Sequence, residues 1–436
     1  MTEGYQRAVD ELTARGRFGI RLGLGRTKGL LARFGNPEKQ LRGVLIGGTN
    51  GKGSVQAMVA AALREGGYRV GQTPKPHLSE YRERIVVDGK PIEPDDFASV
   101  VGEVLVEAGR LERRVGPPTE FEALTAAAFV WFARTKVEVA VIEVGLGGRL
   151  DATNAWQGGV SAITNVALDH TEHLGTTIAA IALEKAQIIK RGDFAALTGA
   201  DGDGLAVIRR RAKAVDVPLR ALMPLPVLSM DRGGIKVAVA GIPLKVGLLG
   251  RHQASNAAMA VGILDALAGA GIARARPDAI ARGFAGVRWP GRLELLRADD
   301  DGPDILMDGA HNPHGAMALA AALDELRPHL SPGRATLLIG VVREKDLAGM
   351  VAALRGAATL ADATVIATRV PDTPRSLDPR EVAAAWGGDD VVRIVDDPDE
   401  ALAEAREAGR EADGPLVIAG SLYLVGHLRR ILVGEA

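Results

Sequence analysis

A glycine-rich segment near the N-terminus has the residue types of a phosphate-binding loop. The apolar run at residues 44–46 is followed by GGTNGKGS at residues 47–54, and apolar residues then recur at helical spacing. In a strand–loop–helix of this kind, backbone N–H groups and the helix dipole point at a bound phosphate, and Lys52 adds positive charge. Gly53 separates Lys52 from Ser54, which departs from the usual G-x-x-x-x-G-K-[ST] pattern. We expect the Ser54 hydroxyl to contact Mg²⁺.

Two further residues have types suited to holding a metal ion beside this loop. Glu143 lies near the end of the apolar run 137–144, and His170 follows the run 160–166. The carboxyl ends of parallel strands are where ligands bind in such sheets, so we expect both side chains near the loop. The alternatives are a solvated glutamate at a strand end and a hydrogen-bonded loop histidine.

Lys185 interrupts an apolar stripe. It shares one face at helical spacing with Ile178, Ile181, Ala182, Ile188 and Ile189. Burial disfavours the ammonium form, and a neutral amine can add carbon dioxide to become a carbamate, which is an anionic oxygen ligand for Mg²⁺. The alternative is a lysine whose alkyl chain covers the stripe while its ammonium reaches water. The carbamate is our hypothesis.

These residues require a sheet whose strand ends lie side by side. Short apolar runs at 44–46, 137–144, 160–166 and 194–197 alternate with helix-like or loop segments. The alternation predicts an α/β fold with a mostly parallel sheet and helices on both faces. Residues 218–249 read instead as short β-rich pieces, which predict hairpins at a sheet edge.

A second domain is indicated after the linker-like sequence Trp289-Pro290-Gly291, because a fresh alternation of apolar runs starts there. A length of 436 residues favours two or three domains, and we assume two. We therefore predict an N-terminal domain at 1–290 that carries the phosphate loop, and a smaller C-terminal α/β domain at 291–436.

Composition excludes several classes of function. The 53 Lys and Arg residues balance 54 Asp and Glu, so no general field attracts nucleic acid or an anionic membrane. The absence of cysteine excludes disulfides, thiolate nucleophiles and cysteine-bound metals. The N-terminus lacks a secretion signal, and the apolar run 123–133 is about half the ~20 residues of a membrane span. We expect a buried helix there and a cytoplasmic protein.

Several separated motifs resemble the folate branch of the Mur ligases, the folylpolyglutamate synthase and dihydrofolate synthase family. They span nearly the whole chain and occur in order, which is more specific than one loop. The motifs are the phosphate loop, FGI (18–20), PHL (76–78), FE (121–122), GLGGRLDATN (145–154), DH (169–170), EKA (184–186), HQ (252–253) and AHNP (310–313).

The resemblance implies an ATP-dependent ligase that joins L-glutamate to a folate-type carboxylate through an acyl phosphate. The acceptors would be dihydropteroate and the glutamate tail of reduced folates. ATP and Mg²⁺ would be required, and a monovalent cation such as K⁺ is left open. The C-terminal domain would bind glutamate and close over ATP. We expect a monomer without nucleic-acid or membrane partners.

The resemblance also assigns residues. Lys185 would be the carbamylated lysine, Ser54, Glu143 and His170 would complete the metal site, and Lys52, His170 and Lys185 would serve catalysis. Implied nucleotide contacts are Thr49, Asn50, Gly51, Lys52, Gly53, Ser54, Asn256, Arg292, Asp308 and His311. Implied folate contacts are His77 in a mobile loop, Phe121 stacked on the pterin ring and Asp151 hydrogen-bonded to it.

Two positions depart from the family pattern. Lys75 stands where the family usually has a serine that binds magnesium, and Gly25 stands where it often has glutamate. An ammonium cannot coordinate Mg²⁺, so either one metal is held more weakly or the Lys75 charge partly replaces it.

Two other functions remain open from the sequence. One is a Mur-type ligase acting on another carboxylate, although the residues before the loop leave no room for a separate UDP-binding domain. The other is a non-catalytic ATP-binding switch, which would not need Glu143, His170 and Lys185.

Overall fold

The computed structural model describes residues 2–18, 23–296, 302–388 and 390–434. Gly19 and Ile20 of the FGI motif lie outside these residues. The strands are β1 (Gly43–Gly47), β2 (Val70–Thr73), β3 (Val86–Val87), β4 (Lys90–Pro91), β5 (Val139–Glu143), β6 (Gly159–Ile163), β7 (Ala195–Thr198), β8 (Leu219–Ala221), β9 (Val227–Asp231), β10 (Gly234–Val239), β11 (Ile242–Val246), β12 (Glu294–Leu296), β13 (Ile305–Met307), β14 (Thr336–Ile339), β15 (Thr364–Ala367), β16 (Val392–Ile394) and β17 (Leu416–Ala419).

The helices connect these strands. They are α1 (Glu3–Ala14), α2 (Gly25–Arg33), α3 (Lys52–Glu65), α4 (Pro94–Val115), α5 (Glu120–Arg134), α6 (Thr171–Leu174), α7 (Ile178–Ala186), α8 (Gly202–Ala214), α9 (Gln253–Gly269), α10 (Pro277–Gly286), α11 (Pro313–Leu326), α12 (Leu347–Arg355), α13 (Pro379–Trp386), α14 (Pro398–Glu411) and α15 (Leu422–Leu432).

The chain divides into two compact units. The first consists of Met1–Leu225 with Ser255–Val287, and the second of Pro226–Ala254 with Arg288–Ala436. The second unit thus includes residues 226–254, which precede its main segment in sequence. The division of function between 1–290 and 291–436 stays a proposal.

A largely parallel sheet organises the first unit. In the described residues its strand order is β4-β3-β2-β5-β1-β6-β7-β8, and the antiparallel pairs are β2–β3 and β3–β4. Every residue of β1, β2, β5 and β7 is buried, as expected for strands covered by helices on both faces. β1 lies between β5 and β6, so the ends of these three strands are adjacent. The predicted α/β fold is confirmed.

The second unit contains two further sheets among its described residues. One has the order β12-β13-β17-β14-β15-β16 and is parallel except for β12. The other is the antiparallel sheet β11-β10-β9. The hairpins predicted between 218 and 249 are present as β9–β11. Their placement at a sheet edge was wrong, because they form a sheet of their own, while β8 joins the edge of the large sheet in parallel.

The N-terminus of α5 carries the FE motif and is fixed by a buried ion pair. Glu122 is 4% exposed; it accepts hydrogen bonds from Arg26 Nε at 2.9 and 3.1 Å and from the Thr119 backbone N–H at 2.8 Å. The Thr119 hydroxyl accepts in return from the Glu122 N–H, which completes a capping box. This bonding sets where α5 begins, and hence where Phe121 lies.

We expect Glu122→Gln to lower the free energy of unfolding by about 3 kcal/mol, because it removes one charge of a largely buried ion pair. Glu103→Gln is the matched control, since its Arg134 partner is exposed and such pairs contribute at most about 1 kcal/mol. Urea unfolding followed by circular dichroism measures both. Equal losses in the two variants would contradict the assigned role of Glu122.

No helix in the described part of the chain combines the length and the apolar character that crossing a membrane requires. The apolar run 123–133 forms part of α5, whose residues 122–130 are buried. The buried helix predicted there is confirmed.

Candidate active site

The phosphate loop joins β1 to α3 as predicted. Its backbone requires glycine at two places. Gly48 has φ 138°, and a Cβ there would lie 1.9 Å from Thr164 Oγ1; Gly51 has φ 80°, and its Cβ would lie 2.2 Å from Asn256 Oδ1. Gly51 caps α3 without a side-chain hydrogen bond, so no capping side chain blocks the approach of an anion to this helix N-terminus. The predicted nucleotide contact Asn256 therefore lies against the loop.

The segment after β6 holds the phosphate loop in shape. Thr49 Oγ1 donates to the Ala167 carbonyl at 3.2 Å and accepts from the Ala167 N–H at 3.0 Å. The Asn50 N–H donates to Asn165 Oδ1 at 2.9 Å, and Thr164 Oγ1 donates to the Asn50 carbonyl at 2.6 Å. Sequence reasoning missed Thr164 and Asn165. Their only signal was a polar pair directly after an apolar strand.

Two lysines converge on one carbonyl of this loop. Lys52 Nζ donates to the Gly48 and Thr49 carbonyls at 3.1 and 2.9 Å, and Lys185 Nζ donates to the Gly48 carbonyl at 3.0 Å. The positive charge of Lys52 at the N-terminus of α3 favours an anion there, and Lys185 reaches the same carbonyl. The geometry therefore favours a polyphosphate at this loop.

Lys185 lies at the buried end of α7 and is 5% exposed, so its predicted burial is confirmed. Burial, followed by the charge of Lys52, lowers the pKa of Lys185 to about 7, while Asp169 and Asp151 oppose the shift. At neutral pH a large part of this side chain is therefore an uncharged amine, the form that reacts with carbon dioxide.

Glu143 ends β5, one strand away from the phosphate loop. It pairs in register with Ile46 of β1 and is 3% exposed. Its Oε2 accepts from the Lys75 backbone N–H at 3.2 Å, and its own N–H donates to Thr73 Oγ1 at 3.3 Å. The structure thus places a buried carboxylate where the strands β1, β2 and β5 end.

His170 is placed differently from Glu143. It precedes α6 with φ 51°, and its side chain is 42% exposed. Its Nε2 and Nδ1 lie 3.9 Å from Asp169 Oδ2 and Glu172 Oε1. Within the described ranges no three His, Asp or Glu side chains are grouped to hold a metal. The predicted ligand set contains only two residues of these types, so it stays a prediction.

Phe121 lies at the start of α5 and is half-buried. Lys75 Nζ is 4.0 Å from the centroid of its ring, and a Cβ on Gly145 would lie 2.8 Å from its Cζ. The Lys75 ammonium therefore covers part of one face of the ring. Stacking of a pterin on Phe121 stays a prediction, and it would use the remaining ring surface.

The Asp151 carboxylate accepts hydrogen bonds from its own loop. Its Oδ2 accepts from the Gly145 and Leu146 N–H groups at 3.0 and 2.9 Å, and its Oδ1 accepts from the Thr153 N–H and hydroxyl at 3.0 and 2.5 Å. A carboxylate has about four acceptor positions, so a substrate would have to replace one of these bonds. The predicted folate contact of Asp151 is untested.

His77 belongs to a tightly bonded segment after β2. Its Nδ1 accepts from Arg84 Nε at 2.8 Å, and its ring is 4.4 Å from Tyr81. Burial and then the Arg84 charge lower the pKa of His77 to about 3, so the imidazole is neutral. Glu83 accepts the N–H groups of residues 78–80 and closes the turn.

In the second unit, three predicted nucleotide contacts meet after β13. Asp308 accepts from the Leu293 and Ala310 N–H groups at 2.8 and 2.7 Å, and burial raises its pKa against the opposing charge of Arg292. Arg292 Nη1 and His311 Nδ1 lie 3.5 and 2.8 Å from the Gly309 carbonyl. A Cβ on Gly309 would lie 2.2 Å from Leu422 Cδ2, so any larger residue here would have to displace the Leu422 side chain.

Comparison with known proteins finds two Mur ligase domains in this chain. Residues 46–264 match the Mur ligase middle domain, and residues 291–422 match the Mur ligase glutamate ligase domain. The dihydrofolate synthase/folylpolyglutamate synthase of Bacillus subtilis is 33% identical over 99% of this chain and 100% of its own length.

Solved structures show the same similarity. Mycobacterium tuberculosis folylpolyglutamate synthase complexed with ADP and AMPPCP superimposes with a TM-score of 0.87 at 33% identity, covering 98% of this chain and 99% of that one. E. coli FolC in complex with DHPP and ADP has a TM-score of 0.83 at 27% identity and covers 98% of each chain. The chain belongs to the folylpolyglutamate synthase/dihydrofolate synthase family of Mur ligases.

Proposed function

We propose that this protein is an ATP-dependent ligase that forms an amide between L-glutamate and a pteroate or folate carboxylate. The convergence of Lys52 and Lys185 on the Gly48 carbonyl, at the N-terminus of α3, carries the proposal within this family. Dihydropteroate and the glutamate tail of reduced folates are the proposed acceptors. We also propose a monomer in the cytoplasm, and leave a need for K⁺ to experiment.

The proposed reaction has two steps. An oxygen of the acceptor carboxylate attacks the γ-phosphorus of ATP; the bond to the β,γ-bridging oxygen breaks, and ADP leaves. Lys52 neutralises charge on the transferred phosphoryl group. The amine of L-glutamate then attacks the acyl carbon, and the tetrahedral intermediate expels phosphate, loses a proton from nitrogen and becomes the amide.

Each group of predicted residues has a proposed task. Residues 49–54 and Asn256 would hold the phosphates, and Arg292, Asp308 and His311 would contact the nucleotide from the second unit. Phe121, Asp151 and His77 would position the folate. We propose that the second unit binds L-glutamate.

The proposed metal ligands fit Mg²⁺ in part. Ser54 is 5% exposed in the first turn of α3, and Glu143 supplies a buried carboxylate. The Lys185 amine would become a ligand by attacking carbon dioxide and losing a proton, which gives a carbamate. His170 would add a nitrogen. Mg²⁺ would there neutralise the phosphate oxygens during transfer. The Lys75 ammonium has no lone pair and does not fit as a ligand.

ADP release by the purified protein with ATP and Mg²⁺ tests the proposed function. We expect release with dihydropteroate or tetrahydrofolate only when L-glutamate is also present, because the acyl phosphate is consumed by the amine. Release with tetrahydrofolate but not with dihydropteroate would show that the protein extends the glutamate tail but does not add the first glutamate. No stimulation by either pair would point to another carboxylate substrate or to an ATP-binding switch.

A further inference from the structure

The ammonium group of Lys75 is enclosed by protein and lacks a hydrogen-bond partner in the described part of the chain. An ammonium has three donors, and burying a charge without pairing it is costly. The neighbouring lysines of the site behave differently, since Lys52 and Lys185 both donate to loop carbonyls. Among the described residues, the only close contact shown for this ammonium besides charge interactions is the Phe121 ring.

The surroundings of this ammonium are those of a cation site. Its Nζ lies 4.0 Å from the centroid of the Phe121 ring, whose face attracts cations. Burial lowers the pKa of Lys75 to about 8, which still leaves an ammonium at neutral pH; the charges of Asp151 and Glu143 oppose this shift, and those of Arg84 and Lys52 add to it. Asp151 accepts four hydrogen bonds within its own loop, whereas Glu143 accepts the backbone N–H of Lys75 itself.

The backbone fixes Lys75 beside Glu143. β2 ends at Thr73 and pairs in parallel with β5, which ends at Glu143. The Lys75 N–H donates to Glu143 Oε2 at 3.2 Å, so residue 75 borders the carboxylate that we propose as a metal ligand. A side chain with an oxygen at this position would border the same carboxylate and could share a divalent ion with it.

We infer that the Lys75 ammonium is a built-in cation that takes the place of a divalent ion between residue 75 and Glu143, so that the site holds one divalent ion with its nucleotide. The inference rests on the proposed ATP and metal site. The ammonium cannot coordinate a metal, and its charge repels a second ion brought to the same carboxylate. The other proposed ligands, which are Ser54, His170 and a carbamate on Lys185, would hold the ion that accompanies the nucleotide phosphates.

Counting bound ions tests this inference directly. Mn²⁺ serves as the probe, and equilibrium dialysis with AMPPCP gives the Mn²⁺ and the nucleotide bound per chain. We expect one Mn²⁺ per nucleotide for the unchanged protein and two for Lys75→Ser, because the serine supplies an oxygen and removes the charge. Lys75→Met is the matched control: it removes the charge without adding a ligand, and we expect one Mn²⁺.

Either of two results would overturn the inference. Two Mn²⁺ per nucleotide in the unchanged protein would show that the ammonium does not replace an ion. One Mn²⁺ in a folded Lys75→Ser variant would show that the lysine is not what excludes the second ion. Both results would leave the proposed function intact, because nucleotide is bound. Failure of the unchanged protein to bind AMPPCP would instead overturn the proposed function and the inference with it.

Discussion

The Lys52→Met variant is expected to release ADP about 100- to 1,000-fold more slowly than the unchanged protein at saturating substrates, the usual loss when one donor to transition-state charge is removed. Lys52 Nζ now donates to the Gly48 and Thr49 carbonyls, within reach of the helix N-terminus that would hold the phosphates. Methionine keeps the apolar part of the side chain and removes the charge. Because that charge matters most during phosphoryl transfer, kcat should fall more than the KM for folate or glutamate rises.

The control for this substitution is Lys213→Met. Lys213 is an exposed lysine of α8 in the same unit, and we expect its replacement to leave kcat unchanged. Circular dichroism of both variants establishes that the fold is kept. A Lys52→Met variant that turns over within a factor of about three of the unchanged protein would exclude Lys52 from phosphoryl transfer, because so small a change corresponds to less than about 1 kcal/mol.

The Lys185→Gln variant is expected to lose on the order of 100-fold or more in kcat, because it cannot form the carbamate and so removes an anionic ligand from the proposed metal site. In the unchanged protein, isotope-labelled bicarbonate should give one carbamate signal by nuclear magnetic resonance, and Lys185→Gln should abolish it. Lys190→Gln is the matched control. Burial also lowers the pKa of Lys190, to about 8, but the Lys190 Nζ donates to the Trp156 carbonyl at 2.7 Å and is not in the proposed metal site. The carbamate signal should therefore persist in Lys190→Gln.

The carbamate should also depend on pH in a definite direction. Only the neutral amine adds carbon dioxide, and burial places the pKa of Lys185 at about 7. The carbamate signal should therefore be present above that pH and be lost as the pH falls through about 7. An unmodified Lys185 in a fully active preparation would exclude the carbamate hypothesis. If Lys185→Gln lost activity but kept the carbamate signal, the signal would come from another residue, and the loss of activity would have a structural cause.

The same lowered pKa affects stability. In the unfolded chain Lys185 recovers its ordinary pKa of 10.5, so between about 7 and that value the unfolded state binds more protons. The contribution of Lys185 to the free energy of unfolding therefore rises with pH across this range and is least favourable below it. This direction is opposite to that of a salt-bridged lysine.

Local sequence determined the elements that carry the site. The phosphate loop, the strand that ends at Glu143 and the buried stripe around Lys185 were all predicted, because each depends on the spacing of apolar residues within one strand or helix and on glycines at one turn. The parallel sheet followed from the alternation of such elements, and it brings the ends of β1, β5 and β6 together. Family resemblance alone pointed to Phe121, since an aromatic residue at a helix start reads as core.

Tertiary structure decided what these residues touch. The contact between Lys75 and Phe121 joins residues on different elements, and no local period reports it. The four hydrogen bonds of Asp151 depend on how its loop closes. The exposure of His170 depends on the left-handed backbone conformation that His170 itself adopts before the short helix α6. Residues 226–254 pack with the second unit although they precede its main segment in the chain. Sequence spacing encodes which face of an element is buried, whereas such long-range pairings depend on how separate elements are packed together.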